Sequence, residues 1–352
     1  MSYYEYAGNP HVHSTYSDGT KLHAEIAEAA ATAGLNFVIV TDHNLWVSGL
    51  EGYTNGVAVL VGQELHNVRR QPQSSHLLAF NANAELAPEA GDPQQLINAI
   101  NERGGSVFLA HPFEYGSRIR EGLEAIPWVD WDVSGYTGLE IWNYMSEFKS
   151  LLRSRLAALF YMQFPTLGIV GPFRATLKKW DELLMQGHRV AAIGGADAHG
   201  TAYTIIGQQK KTVFPYEHLF RCVNTHILSE QPLNGVIDHD KNLIYEALRG
   251  GHTWVGYDLP ASTAGFRFTA RSGANEGIMG DEMARTGATI FVVQVPQPAS
   301  IRLVRNGKTA ARAQGTYLRH TTAEAGAYRV EVYMPYRLGR RGWIFSSPIS
   351  IV

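Results

Sequence analysis

The sequence is short of cysteine, because Cys222 is the only one among 352 residues. A single thiol excludes a disulfide framework, and it also excludes a zinc site built from several cysteine ligands. Any metal ion must therefore be held by histidine, aspartate and glutamate side chains. The chain is rich in the first of these, with 14 histidines.

An excess of one charge and long apolar runs are also lacking. The 30 Lys and Arg nearly balance the 32 Asp and Glu, which gives a formal net charge of -2 without a basic stripe. We therefore expect no binding of long nucleic acid, although a small phosphorylated substrate is compatible with this balance. No stretch reaches the roughly 18 apolar residues of a membrane span, and no signal peptide is evident. These absences predict a cytoplasmic protein without membrane association and leave its oligomeric state open.

Short apolar runs alternate with amphipathic stretches from residue 1 to about residue 258. The pattern predicts helices, for example at 22–33, 92–103 and 147–162, between buried strands such as 37–41 and 190–194. Strands that alternate with helices favour a parallel sheet, which is either open or closed into a barrel. The fold class expected for this region is α/β.

The pattern changes near residue 258. Residues 259–352 show no helical period but contain several strand signals, for example at 288–295 and 300–304, and Asn306-Gly307 is a dipeptide favoured in tight hairpins. This spacing predicts a small all-β antiparallel sandwich. We therefore expect two domains, an α/β domain at 1–258 and a β-sandwich at 259–352.

Histidine and carboxylate side chains recur where predicted strands end. Since alternate residues of a strand share a face, His11 and His13 point the same way. In parallel α/β folds the carboxyl ends of the strands surround the active site, so we expect the other groups to converge there as well. In chain order they are His11, His13, Asp18, His43, Glu64, His76, His111, Asp197 and His199.

Each of these side chains has an ordinary explanation when it is taken alone. Asp42 or Asp197 at a strand end can cap a helix, and an isolated histidine is usually a hydrogen-bonded structural residue. Nine such groups around one cavity would be costly to bury unless cations neutralised them. The joint pattern therefore predicts a multinuclear metal site. For Glu140, at the end of another strand, packing, support of a ligand and substrate contact all remain open.

The ordered set of motifs resembles the PHP (polymerase and histidinol phosphatase) superfamily of metal-dependent phosphoesterases. The motifs are His11-Val12-His13, Asp18, Thr41-Asp42-His43, Gly62-Gln63-Glu64, His76, Ala110-His111-Pro112 and Ala196-Asp197-Ala198-His199. The resemblance extends over residues 9–255, and the closing segment 343–349 is similar to that of two-domain members. It implies a distorted (β/α)7 barrel followed by the sandwich, with two to three divalent metal ions.

The resemblance also implies which residues hold each ion. His11, His13, Glu64 and Asp197 would hold one ion. Glu64 would bridge to a second ion, which His76 and His111 complete. Asp18, His43 and His199 would hold the third. Imidazole and carboxylate ligands suit Zn, Mn or Fe, and the sequence does not choose between them.

The activity expected from this centre is hydrolysis of a phosphoester, such as a small phosphomonoester, a cyclic phosphate or a nucleotide. A hydroxide that bridges two cations would attack phosphorus, with Glu64 holding both cations. His43 and His199 are candidates to protonate the leaving group. Arg118, Arg120 and Arg174 are candidates to bind the phosphate, since a guanidinium pairs with it through two hydrogen bonds.

Two other functions remain open on the sequence alone. The same metal chemistry would hydrolyse a carbonyl substrate, namely an ester, an amide or a carbamate. Alternatively, the chain is a non-catalytic binding protein whose metal ions stabilise the fold, although a purely structural site would be closed and would need fewer ligands.

Overall fold

The computed structural model describes residues 3–117, 119, 122–204, 210–212 and 214–352, without the side chains of 202–204, 210 and 211. The α-helices within these ranges are α1 (His23–Ala33), α2 (Pro93–Glu102), α3 (Tyr144–Leu151), α4 (Arg155–Gln163), α5 (Arg174–Met185), α6 (Tyr216–Phe220) and α7 (Ile237–Gly250). The strands are β1 (Tyr4–Val12), β2 (Phe37–Val40), β3 (Gly52–Thr54), β4 (Val57–Leu65), β5 (Leu77–Phe80), β6 (Ser106–Leu109), β7 (Gly138–Asn143), β8 (Ala191–Gly195), β9 (Ala202–Thr204), β10 (Lys210–Thr212), β11 (Val223–Ser229), β12 (Thr253–Tyr257), β13 (Arg267–Ser272), β14 (Asn275–Ile278), β15 (Glu282–Met283), β16 (Thr289–Arg305), β17 (Lys308–Thr322), β18 (Gly326–Tyr336), β19 (Gly339–Ser346) and β20 (Ile349–Ile351).

The N-terminal strands form a mixed sheet in the order β11-β1-β2-β4-β5-β6-β7-β8. The pairs β1–β2, β2–β4, β6–β7 and β7–β8 are parallel, as the alternation of strands and helices predicts. Strand β5 runs antiparallel to both of its neighbours. The connection 66–76 that precedes it contains no helix, and a parallel crossover needs a longer connection. The molecule is therefore mixed α/β rather than all-parallel.

A closed barrel is not confirmed, because the ladder of strands does not close. In the described residues β8 forms a ladder only with β7, and a single bridge, Val12 to Ala198, links β1 with the segment after β8. Side chains satisfy the β8 backbone instead. The Thr225 hydroxyl accepts from Gly194 N at 2.9 Å, and Asn9 Oδ1 accepts from Ala196 N at 3.1 Å. Strand β8 is thus held beside β1 and β11 without a ladder to either of them.

Local sequence signals explain where the helices begin and end. Asp92 caps α2 by accepting from Gln94 N and Gln95 N, and Pro93 occupies the first helical position. Gly34 ends α1 with a positive φ of 84°, which a glycine adopts without strain. The helix predicted at 147–162 is instead two helices, α3 and α4, because Ser154 caps a second start by accepting from Ala157 N.

The C-terminal region is rich in antiparallel strands. The 17-residue strand β16 pairs with β13 through its first half and with β18 through its second half, whereas two separate strands were predicted at 288–295 and 300–304. Its core contains Phe268, Phe291, Ile301 and Trp343. Strand β19 pairs with β12, so hydrogen bonds cross the predicted boundary at 258, and the division into two domains stays a prediction. None of the helices in the described residues combines the length and apolar character of a membrane span.

Candidate metal centre

All nine predicted ligands lie together where the N-terminal strands end. They form three overlapping groups of side chains close enough to hold a cation. Seven come from strand ends or the turns directly after them, Asp18 from the loop after β1, and His76 from the residue before β5. The side chains of His11, His13 and Glu64 are almost fully buried, whereas those of His43, His199 and Asp18 are 26, 21 and 56% exposed. The centre therefore has a buried side and an open side.

Glu64 occupies the middle of the cluster. Its Oε2 atom lies 3.0 Å from His11 Nε2 and 3.1 Å from His13 Nε2. Its Oε1 atom lies 2.8 Å from His76 Nδ1 and 3.1 Å from His111 Nε2. One carboxylate thus faces two pairs of imidazoles through its two oxygens, which is the arrangement that a bridging ligand needs.

The Asp197 carboxylate lies beside the first pair of imidazoles, those of His11 and His13. Its Oδ1 atom is 3.4 Å from His11 Nε2 and 3.2 Å from His13 Nε2. Its backbone has a positive φ of 56°. His111 also has a positive φ, of 28°. Such conformations cost about 1–3 kcal/mol in non-glycine residues and cluster at functional sites.

Asp18 organises the open side of the centre. Its Oδ1 atom lies 3.2 Å from His199 Nε2, and its Oδ2 atom lies 3.8 Å from His43 Nε2. Asp42 does not join this group but anchors its loop: it accepts from Ser14 N at 2.8 Å and from the Ser17 hydroxyl at 2.6 Å. We expect from the sequence that this residue caps a backbone segment or supports a ligand rather than being one, and its contacts with Ser14 and Ser17 hold the loop.

Other side chains orient the ligands from behind. Glu140 Oε1 lies 2.9 Å from His11 Nδ1, while Oε2 accepts from His111 N at 2.9 Å and from Asn143 Nδ2 at 3.0 Å. Glycine at 195 makes room for this contact, since a Cβ there would lie 2.7 Å from His11 Cβ. Three roles were left open for Glu140. The geometry favours the role of holding a predicted ligand in place. Asn143, the last residue of β7, was missed by the sequence analysis, because its position is also that of the helix cap that begins α3.

Several buried ring nitrogens in the cluster have no hydrogen-bond partner among the described residues. They are both nitrogens of His13, Nδ1 of His43 and Nε2 of His76. A buried polar atom without a partner is costly, and a divalent cation would remove that cost. Imidazoles combined with carboxylates are the donor set that Zn, Mn or Fe takes, so the residues fit such ions.

The charges within the centre also suit cation binding. Burial alone would raise the pKa of Glu64, but His43 and His11 hold it well below its usual range. Burial lowers the pKa of His43 to about 4, so its ring is neutral and free to ligate. Although burial opposes it, Asp197 and Glu64 raise the pKa of His13 to about 9. A cation must displace that proton, so binding releases protons.

His66 lies beside the predicted ligands without belonging to the predicted set. Its ring stacks on His76 with centroids 4.0 Å apart, and it forms a possible metal-binding group with His43 and His76. Burial lowers the pKa of His66 to about 3, so its ring is neutral. The stacking on His66 fixes the orientation of the His76 ring.

Of the three predicted phosphate-binding arginines, only Arg174 lies within the described residues, and it is not at the centre. Arg118 and Arg120 lie outside those residues. Arg174 is exposed at the start of α5 and lines a groove that contains none of the nine ligands. Phosphate binding by these three arginines stays a prediction.

Comparison with known proteins finds distantly similar solved structures only. No protein-family model and no curated protein matches the chain. Among solved structures, it is similar to a two-domain protein of Bacteroides vulgatus that contains a predicted PHP-like metal-dependent phosphoesterase, with 13% identity, 98% of this chain and 95% of that chain covered, and a TM-score of 0.44.

Two further solved structures cover only part of the chain. One, from Bifidobacterium adolescentis, is described as a metal-dependent phosphoesterase, with 16% identity, 55 and 87% coverage and a TM-score of 0.34. The other is an amidohydrolase of Chromobacterium violaceum with bound sulfate and no metal, with 14% identity, 59 and 92% coverage and a TM-score of 0.31. All three superpositions are loose. On its ordered motifs, the chain resembles PHP-like metal-dependent phosphoesterases.

Proposed function

We propose that this protein is a metal-dependent hydrolase that cleaves phosphoesters at the centre described above. The observation that supports this proposal best is the position of Glu64, whose two oxygens face separate imidazole pairs at 2.8–3.1 Å. A carboxylate shared in this way is suited to hold two cations side by side, as two-metal hydrolases require.

The residues divide into the three ligand sets implied by the resemblance. His11, His13, Glu64 and Asp197 would hold one cation, Glu64, His76 and His111 a second, and Asp18, His43 and His199 a third. Bound divalent cations supply a Lewis acid and lower the pKa of coordinated water. Glu140 would hold His11 and the His111 backbone in place, so that these ligands need no rearrangement during turnover.

The open side of the centre is where we propose that the substrate enters. Asp18, His43 and His199 have exposed side-chain surface there, whereas the remaining ligands are covered. His199 Nδ1 lies 2.9 Å from Asp197 O, which fixes its ring and turns Nε2 toward Asp18. His43 or His199 would give a proton to the leaving oxygen, which is the role of a general acid. Arg118 and Arg120 are the proposed phosphate-binding residues of this centre, whereas Arg174 lies in the groove beside α5.

Metal content and activity together test this proposal. Purified protein should contain two to three equivalents of a transition metal by elemental analysis, and it should hydrolyse p-nitrophenyl phosphate or bis(p-nitrophenyl) phosphate faster than p-nitrophenyl acetate. Glu64→Gln should lose at least one equivalent of metal and about 100-fold in activity, since it removes the shared ligand. His252→Gln is the matched control, because its ring contacts Asp281 outside the centre.

Three results would contradict the proposal. Full activity in Glu64→Gln would show that the shared carboxylate is not needed. Faster turnover of the carboxylic ester would favour a carbonyl hydrolase on the same centre. Metal-loaded protein that hydrolyses no phosphoester would favour a binding protein.

A further inference from the structure

A wide groove lies between helix α5 and the C-terminal strands, away from the metal centre. Its volume is about 1040 Å³, and its described lining residues include none of the nine predicted ligands. We call it the α5 groove. Its cationic side chains are Arg174, Lys178, Arg302, Lys308, Arg312, Arg329 and Arg340. Since it shares no residue with the centre, its role is separate from hydrolysis there.

Positive charge is concentrated in the α5 groove. Its lining contains seven Lys and Arg but only three acidic residues, Asp181, Glu182 and Glu331. The whole chain, by contrast, has a formal net charge of -2. A cleft lined mainly by one sign of charge focuses the field and raises the local concentration of oppositely charged ligands.

The acidic residues of the groove are already paired. Arg329 is buried and binds Asp181 through two hydrogen bonds of 2.8 Å, and its third contact is Glu331 Oε1 at 2.7 Å. Glu331 also pairs with Arg302 at 3.2 Å, and Glu182 lies 3.7 Å from Lys178. The remaining cations therefore have no acidic residue left in the groove to pair with.

Four exposed cations of the groove make no ion pair with any described residue. They are Arg174 on α5, Lys308 and Arg312 on β17, and Arg340 on β19, whose guanidinium lies over the Tyr333 ring. In the β16–β17 ladder Arg312 stands directly opposite Arg302. Like charges directly opposite each other destabilise a sheet. An anionic ligand in the groove would attract both guanidinium groups and so offset the repulsion between them.

The remaining lining restricts the chemical class of that ligand. Its only aromatic ring, Tyr333, has the Arg340 guanidinium 4.3 Å above it, so no free ring is available for stacking bases of single-stranded nucleic acid. Leu177, Met185 and Ala313 are the only other apolar side chains, so the groove offers little to anchor a peptide. Guanidinium groups match phosphate oxygens through paired hydrogen bonds.

We propose that the α5 groove binds a small ligand that carries two or more phosphate groups. Several phosphates on one molecule would meet the cations of α5, β17 and β19 at once, and surface cations that are weak singly become effective together. The proposal does not require the metal centre to be active.

Calorimetric titration of the full-length, metal-free protein with inorganic tripolyphosphate tests this inference at low ionic strength. The wild type should bind one equivalent, with an affinity that falls as salt rises. The double variant Lys308→Gln and Arg312→Gln should bind about tenfold more weakly. The matched control is the double variant Arg271→Gln and Arg319→Gln, which removes two exposed cations outside the groove, one on β13 and one on β17. The control should bind like the wild type.

Absence of binding, unchanged affinity in the groove variant, or equal loss in the control would overturn the assignment of the groove. Oligothymidylate and hexaglutamate are titrated in parallel. If either binds more tightly than tripolyphosphate and loses affinity in the groove variant, the groove serves nucleic acid or an acidic peptide, and the proposed ligand class is wrong.

Discussion

At the scale of single residues, Glu140 connects two predicted ligands without contacting a cation position itself. Its oxygens reach the His11 ring and the His111 backbone N. We expect Glu140→Gln to lower metal affinity about 10- to 100-fold, because the amide cannot accept at both positions and His11 becomes a poorer ligand. Competition against a chromophoric chelator measures this affinity.

The matched control for that variant is Glu147→Gln. Glu147 is another buried glutamate of this region, but its contacts are Trp142 Nε1, Val170 N and Gly171 N rather than a predicted ligand. Its replacement should leave the affinity for metal unchanged. Equal loss in the two variants would mean that Glu140 acts through folding and not through the position of His11.

The clustering of the nine predicted ligands could be predicted from the sequence, because most of them lie at the ends of apolar strands and all of them belong to motifs that occur in a fixed order along the chain. Asn143 could not, because nothing in its local pattern separates a ligand-supporting amide from the helix cap that it also is. Arg174 shows the opposite case. Its place after a predicted strand suggested phosphate binding, but α5 carries it toward the C-terminal strands. Where a helix packs depends on contacts that are distant in sequence.

At the scale of elements, the start of α2 depends on one side chain. Asp92 accepts from Gln94 N at 2.8 Å and from Gln95 N at 3.1 Å. We expect Asp92→Ala to reduce the free energy of unfolding by about 1 kcal/mol, the usual cost of a lost helix cap. Urea denaturation measures this change. Asn98→Ala, on the exposed side of the same helix, is the control and should have less effect.

The contact between β11 and the segment after β12 predicts a pH dependence of stability. His226 is buried, with Nε2 at 3.0 Å from Asp258 Oδ2 and Nδ1 at 3.5 Å from Glu5 Oε1, and Arg267 also pairs with Glu5. Although burial opposes it, these carboxylates raise the pKa of His226 to about 9. Its protonated form therefore stabilises the folded state by about 3 kcal/mol below pH 6.5, and this is lost as the pH rises through 9.

Urea denaturation of metal-free protein at pH 6, 7.5 and 9 would measure that dependence. His226→Gln should be less stable at pH 6, and its decline toward pH 9 should be smaller than that of the wild type by the share of His226, since His13 adds a decline of its own in the metal-free protein. His252→Gln serves as the control. A decline of the same size in His226→Gln would show that other groups cause it.

Strands that are continuous apolar runs could be predicted from the sequence, whereas β17 could not. The apolar runs of β2 and β4 are buried along their whole length, so their composition alone identifies them. In β17 nearly all side chains are exposed or half-buried, and the strand forms because β16 provides a long edge for it. The antiparallel direction of β5 could likewise not be predicted, because a buried apolar run does not indicate in which direction a strand runs relative to its neighbours.

At the scale of the whole molecule, Arg329 joins the two parts of the chain. Its guanidinium binds Asp181 of α5 and Glu331 of β18 and lies 4.9 Å from the Trp180 ring. We expect Arg329→Met to cost about 3–5 kcal/mol of unfolding free energy, because two carboxylates lose their partner in a buried place. Chemical denaturation measures this loss.

Arg302→Met is the control for that prediction. Arg302 is partly exposed, and its one ion pair is with Glu331 at 3.2 Å, so its loss should cost about 1 kcal/mol or less. If both variants lose the same stability, the buried pair with Asp181 contributes nothing beyond a surface contact.

The pairing of β12 with β19 has a consequence during protein synthesis. Trp254 of β12 is opposite Ser346 of β19, so about 90 residues separate the two partners along the chain. At roughly 5–20 residues per second, the ribosome needs on the order of 5–20 s to deliver the second strand after the first. Throughout that interval the nascent polypeptide exposes an open sheet edge, which makes the unfinished chain a natural client for chaperones.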